Sequence, residues 1–162
     1  MRFMKRSPII FLQVVIVLIG IGALALMLWE PHIEGRNEHA TLFEIYFNDP
    51  FLVYAYTASI AFFVALYQAF TLLRFIGQDK AFSPNSVKAL RTIKYCAIAL
   101  VAFMVAPEAY LLIARPGDDI AGGVAIGLLL IFISIVIAAA AAVFESLLQA
   151  AVDIKSDNDL TV

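Results

Sequence analysis

The sequence predicts an all-α integral membrane bundle of four transmembrane helices. Both termini are expected on the cytoplasmic side, with a short cytoplasmic interfacial helix before the third span. Three observations predict it. Hydrophobic residues make up 63% of the 162 and charged residues only 15%, with a mean hydropathy of +0.93, whereas soluble domains run at about 45–50% apolar and about 25% charged. A globule this small leaves much of its surface wet and could not hide that much apolar area, so its solvent is lipid. The apolar residues fall into four runs, each close to the roughly 20 residues a helix needs to cross about 30 Å of hydrocarbon. Basic residues divide nine to two between the two sides of those runs.

The spans lie at about 8–29, 50–73, 95–113 and 122–144, with a cytoplasmic tail over 145–162, and the chain reads as one membrane domain over 1–162. Helices are the expected form, because a lone strand leaves backbone groups unpaired in lipid and no run alternates as a barrel strand does. The first span follows Arg2, Lys5 and Arg6. It continues past Ala23-Leu24-Ala25 to Trp29, longer than a signal peptide's apolar region, and is read as an uncleaved anchor. Asn48 and Asp49 precede Pro50, and Ser83 precedes Pro84. Each places a capping side chain before a proline in the first helical turn. Pro116-Gly117-Asp118-Asp119 is a tight turn that makes a hairpin of the third and fourth spans.

Orientation follows from the basic residues. Arg74, Lys80, Lys88, Arg91 and Lys94 lie between the second and third spans and Lys155 lies in the tail, while only Arg36 and Arg115 fall opposite. Cytoplasmic segments retain the Lys/Arg excess, which puts the termini and the middle loop inside. Trp29, Tyr46, Tyr54, Tyr56 and Tyr110 gather toward the other face as an aromatic belt. In the middle loop Val87, Leu90 and Ile93 share one side at helical spacing while Lys88, Arg91 and Lys94 point elsewhere. This is the pattern of an interfacial helix whose cations meet anionic headgroups; a docking surface for a cytoplasmic protein is the other reading.

Two stretches carry a family resemblance. One is Gly77-Gln-Asp-Lys-Ala-Phe-Ser-Pro-Asn-Ser-Val87 with Leu90-Arg91-Thr92-Ile93. The other is Phe144-Glu145 with Asp157-Asn-Asp-Leu-Thr-Val162. With the four spans, they resemble a family of small bacterial integral membrane proteins known only as a domain of unknown function. In that family a G-x-x-F-S loop joins the second and third spans. The chain there closes on an E-N-D-L-T-V-like tail, where Asp157 here replaces the usual Glu. The resemblance implies a multi-pass protein of the bacterial cytoplasmic (inner) membrane. Because its genes frequently neighbour a small helix-turn-helix regulator, it also implies a cytoplasmic regulatory protein as partner. It brings no catalytic residues.

Glu108 is the most unusual side chain. Counting about 1.5 Å per residue from Tyr95 puts it roughly 20 Å into the bilayer, where an ionisable group is costly and a functional-site candidate by default. Pro107 beside it removes a backbone donor, and Arg115 lies seven residues on, two turns along the same helix face. Glu108 reads either as a proton- or cation-responsive carboxylate or as a structural partner of a neighbouring helix or of Arg115. Gly123 and Gly127 form a G-x-x-x-G pair, followed by alanines from Ala138 to Ala142. Small residues of this kind let helix backbones approach closely, within the chain or in a homo-oligomer. Glu145 and Arg74 leave their spans on the same side and are expected to pair.

The remaining polar residues suggest no chemistry. His32, Glu34, Glu38, His39 and Glu44 fit no metal-ligand spacing and read as a solvated outer loop, so no metal or cofactor is expected. The single cysteine, Cys96, cannot form an intrachain disulfide. No nucleophile triad, phosphate-cradling glycine loop or facing carboxylate pair appears, and no direct nucleic-acid binding is expected. The expected function is that of a non-catalytic membrane protein acting through protein or lipid association, in an accessory, sensory or regulatory role. The alternative is a small oligomeric transporter or channel that uses Glu108.

Overall fold

The computed structural model describes residues 6–33, 39, 41–47, 50–114 and 121–159. Five helices occupy them: α1 (Arg6–Ile33), α2 (Leu42–Phe47), α3 (Pro50–Gly77), α4 (Pro84–Ala114) and α5 (Ala121–Asp159). All but α2 are long and apolar enough to cross a membrane. At 1.5 Å per residue, α5 with its 39 residues is about 58 Å long, nearly twice the hydrocarbon thickness.

The four long helices run antiparallel in a row. Gly20 lies against Leu66, and Gly77 against Ile9, so α1 and α3 are paired head to tail. Next, α3 packs on α4 and α4 on α5, while α2 rests on α1 and α3. Among the described residues, no more than a marginal contact links α5 to either α1 or α3. On α5 the less exposed positions run from Val124 through Gly127, Ile131, Ser134, Ala138 and Ala141 to Glu145. These steps of three and four form one narrow seam, and its small residues let α4 approach. The remaining faces carry exposed Ile126, Leu129 and Phe132, as suits a lipid-facing helix.

Helix ends are set by local chemistry. The helix α3 closes in a Schellman motif: Lys80 N donates to Phe75 O at 2.9 Å and Asp79 N to Ile76 O at 3.2 Å. Asp79 takes the left-handed position, with φ 58°, usually held by glycine. The start of α4 has the capping arrangement expected of Ser83 before Pro84. Ser86 N donates to Ser83 Oγ at 3.3 Å, and the fully buried Ser86 hydroxyl donates to Lys80 O at 3.1 Å. The corresponding expectation for Asn48 and Asp49 lies outside the described residues. The short helix α2 opens on a capping box, in which Thr41 N donates to Glu44 Oε2 at 2.9 Å and Glu44 N to Thr41 Oγ1 at 3.4 Å.

Two expectations are corrected. The middle loop holds no separate interfacial helix. Residues 84–94 are the first turns of α4 itself, because nothing between Pro84 and Pro107 breaks a helix; Val87, Ala89 and Leu90 are buried there. The short helix outside the spans is α2, at the opposite end, with Phe43 and Phe47 stacked and exposed. In addition, Glu145 does not pair with Arg74. Its carboxylate takes Arg91 and Lys94 of α4, since α3, which carries Arg74, does not adjoin α5.

Candidate functional site

Two of the long helices contain a proline beyond their first turn, Pro31 in α1 and Pro107 in α4. A proline lacks the N–H that would bond the carbonyl four residues earlier, here Met27 and Phe103. Both carbonyls are taken by tyrosines of α3. Tyr56 donates to Met27 O at 2.9 Å and Tyr54 to Phe103 O at 2.8 Å; Tyr54 also meets the Phe103 ring edge-on. Two positions apart on the middle helix, these hydroxyls reach opposite ways and tie α1 and α4 to α3. In hydrocarbon an unpaired carbonyl costs several kcal/mol, so each proline is tolerated because a neighbour supplies the donor. Leu28 O, one residue on from Met27, accepts from Tyr46 at 3.0 Å and lies 3.0 Å from His32 Nδ1. Thus His32 is engaged at the end of α1 and in contact with Tyr46.

Glu108 follows Pro107 and turns toward α5. A Cβ built on Gly127 would fall on the Glu108 carboxyl group, whereas one on Gly123 would meet nothing within 4 Å. The two glycines therefore differ: Gly127 gives the carboxyl its room, and Gly123 stands open. Glu108 Oε2 is buried and has no hydrogen-bond partner among the described residues. Arg115, the partner considered for it, lies outside the described residues. The site thus combines Pro107, Glu108 and Gly127 within the apolar stretch of α4 and α5, with Tyr54 bonded one turn away.

A second polar cluster sits where the apolar runs give way to charge. Arg91 Nε donates to Glu145 Oε1 and Lys94 Nζ to Glu145 Oε2, both at 2.6 Å. The side chain of Lys94 also lies over the Tyr95 ring, 4.9 Å from its centroid. Lys88 is exposed one turn before Arg91. At the start of α2, the Thr41 amide and then the Thr41 hydroxyl hold the Glu44 carboxyl below its ordinary value. Glu34 and Glu38 lie outside the described residues, as does the C-terminal Leu160-Thr161-Val162.

The tyrosine bonds were missed in the sequence reading, which placed Tyr54 and Tyr56 only in an aromatic belt. The available signal was a proline inside a span, which marks the carbonyl four residues back as needing a donor.

The family described as "Protein of unknown function (DUF2975)" matches residues 35–162. The "Uncharacterized membrane protein YoaS" of Bacillus subtilis (strain 168) is 46% identical over 162 residues, covering 98% of this chain and 100% of that protein. No solved structure matches.

Proposed function

The chain belongs to the DUF2975 family, and from that premise we propose that it is a non-catalytic membrane protein that acts by binding another protein at the end of the α4–α5 hairpin. The observation that carries this reading is the length of α5. Beyond Phe144 it runs on as one helix through residues 145–159, a projection of about 22 Å. Leu147, Ala150 and Ile154 share one exposed stripe there, with both large side chains 63% accessible, the i, i+3, i+7 spacing by which a helix anchors in a groove. The basic asymmetry supports placing this end, with both termini, in the cytoplasm of a bacterial inner membrane, where a soluble regulatory protein could reach it. The test is purification of the full chain in mild detergent from its own cells. A soluble protein that co-purifies with the parent and is lost from Leu147→Asp and Ile154→Asp supports the reading, and its retention by both variants overturns it. Orientation is tested in a Cys96→Ala background: Lys80→Cys should react with an impermeant thiol reagent only after permeabilisation, and Glu38→Cys in intact cells.

A second reading, an oligomeric transporter or channel, draws on the Glu108 oxygen buried without a partner, since intramembrane carboxyls mark ion and proton paths. Proton-dependent flux in proteoliposomes that disappears in Glu108→Gln would favour it, and absence of flux with the parent protein would remove it.

A further inference from the structure

The cluster at Glu145 does more than join two helices. Each carboxylate oxygen takes one cation, and Arg91 is engaged through Nε. Its two terminal nitrogens, with four N–H donors, take no described residue, and the side chain is 53% exposed. Beside it, between α4 and α5, is a pocket of about 440 Å³ whose polar lining includes Arg91, Ser146, Gln149 and Asp153. Gln149 spends its amide on Asp153 at 2.8 Å. The charges of the lining balance, Arg91 and Lys94 against Glu145 and Asp153, and the exposed Lys88 one turn before Arg91 adds one positive charge, the complement of one phosphodiester.

The surroundings say which phosphodiester. The pocket lies where the apolar runs 95–113 and 122–144 end, at headgroup level. Toward the bilayer interior, Ile98 stands one turn beyond Lys94, and Ala139 and Ile135 stand seven residues back from Ser146 and Ala142; all three are exposed. The alanines there keep the flank of α5 low. A molecule with a phosphate in the pocket would lay its chain on that apolar track. Basic pockets between transmembrane helices are a known form of headgroup site, and a guanidinium fork suits phosphate better than an ammonium does.

We propose that the α4–α5 pocket binds one membrane phospholipid, with its phosphodiester on the Arg91 terminal nitrogens and the Ser146 hydroxyl and an acyl chain over Ile98, Ala139 and Ile135. The site rests on the membrane placement of the helices and not on the protein partner inferred above, and its test uses the purified chain alone. Full-length protein in detergent is titrated with dioleoyl phosphatidylglycerol and the bound lipid counted by native mass spectrometry. One tightly held lipid per chain is expected. Its affinity should fall about tenfold in Arg91→Lys, which keeps the charge for Glu145 but loses the fork. It should also fall in Ser146→Ala and Lys88→Gln, and stay at the parent value in Arg74→Gln. Lys88→Gln and Ser146→Ala touch no buried contact, so they decide the matter even if Arg91→Lys folds poorly. Dioleoylglycerol, which has the chains but no phosphate, should not compete. Competition by glycerol phosphate at equal concentration would make this a small-anion site, and equal lipid binding by all four variants would make the lipid merely annular; either result overturns the proposal.

Discussion

Tyr54 on α3 gives its hydroxyl proton to the carbonyl of Phe103 on α4 at 2.8 Å, and that carbonyl is the one Pro107 leaves without an amide. The bond therefore exists because of a residue in neither partner. It predicts a double-mutant cycle. Tyr54→Phe keeps the ring against Phe103 but strands the carbonyl, and should cost about 1–2 kcal/mol. Pro107→Ala returns an N–H to the helix, and in that background Tyr54→Phe should cost less than about 0.5 kcal/mol. Reversible unfolding of the four proteins in mixed micelles measures both numbers. An equal loss in the two backgrounds would show that the proline has no part in the need for Tyr54.

The glycine pair predicts an asymmetry. Gly127→Ala places a methyl group on the Glu108 carboxyl, the end of a flexible side chain that must swing aside, and should destabilise the protein by about 1 kcal/mol, the low end of the range for overpacking. Gly123→Ala meets open space and should be neutral or gain up to about 1 kcal/mol from helix propensity. If the collision is the cause, Glu108→Ala should restore most of the loss in Gly127→Ala. Equal effects at 123 and 127 would mean that both glycines serve one seam, as the spacing alone suggests.

What was legible in the sequence, and what was not, divides along physical lines. Span positions were legible because long apolar runs need no knowledge of neighbours. The cap at Ser83 and Pro84 was legible because capping acts within one turn. The partner of Glu145 was not. Arg74, Arg91 and Lys94 all lie at the same end, and the choice among them depends on α3 and α5 being separated by α4 in the row. The spacing of Val87, Leu90 and Ile93 correctly implied a helix. It did not reveal that the helix continues unbroken into the third span, nor that Val87 and Leu90 face protein instead of lipid. Similarly, Glu108 stood out by type and depth, but its opposition to Gly127 depends on the register of α4 against α5, which pairs residues 91 and 145 at one end and 108 and 127 near the other.

The Thr41–Glu44 box predicts a pH response in α2. The Thr41 amide lowers the Glu44 carboxyl below its ordinary value by favouring the ionised form. A carboxyl whose folded value is depressed contributes stability above the unfolded value, and that contribution is lost as pH falls through the lower, folded one. Thus α2 should be intact at neutral pH and fray only below the ordinary glutamate range. The amide resonances of Thr41 and Ile45 followed through an acid titration report this. Glu44→Gln should remove the transition, and a transition that persists in that variant would assign it to another group.

The Glu145 cluster carries the last prediction. Glu145 is nearly inaccessible, 8% exposed, while its partner Arg91 is half in solvent, so the pairing lies between the buried case and the surface case. Surface pairs contribute about 0–1 kcal/mol, and losing one partner of a buried pair costs about 3–5. Glu145→Gln should therefore cost about 1–3 kcal/mol, chiefly because Arg91 and Lys94 are then held close without an intervening anion. Lys94→Gln added to it should recover part of that loss by removing the repulsion, whereas Lys94→Gln alone should destabilise. Arg74→Gln, at the same end but on a helix that does not adjoin α5, should change nothing. The cost of Glu145→Gln should also shrink in 1 M salt, where screening acts over about 3 Å, because Arg91 is open to solvent. Chemical denaturation of these variants at low and high salt measures each term. A loss in Arg74→Gln equal to that in Glu145→Gln would return the pairing to the partner that sequence order alone suggests.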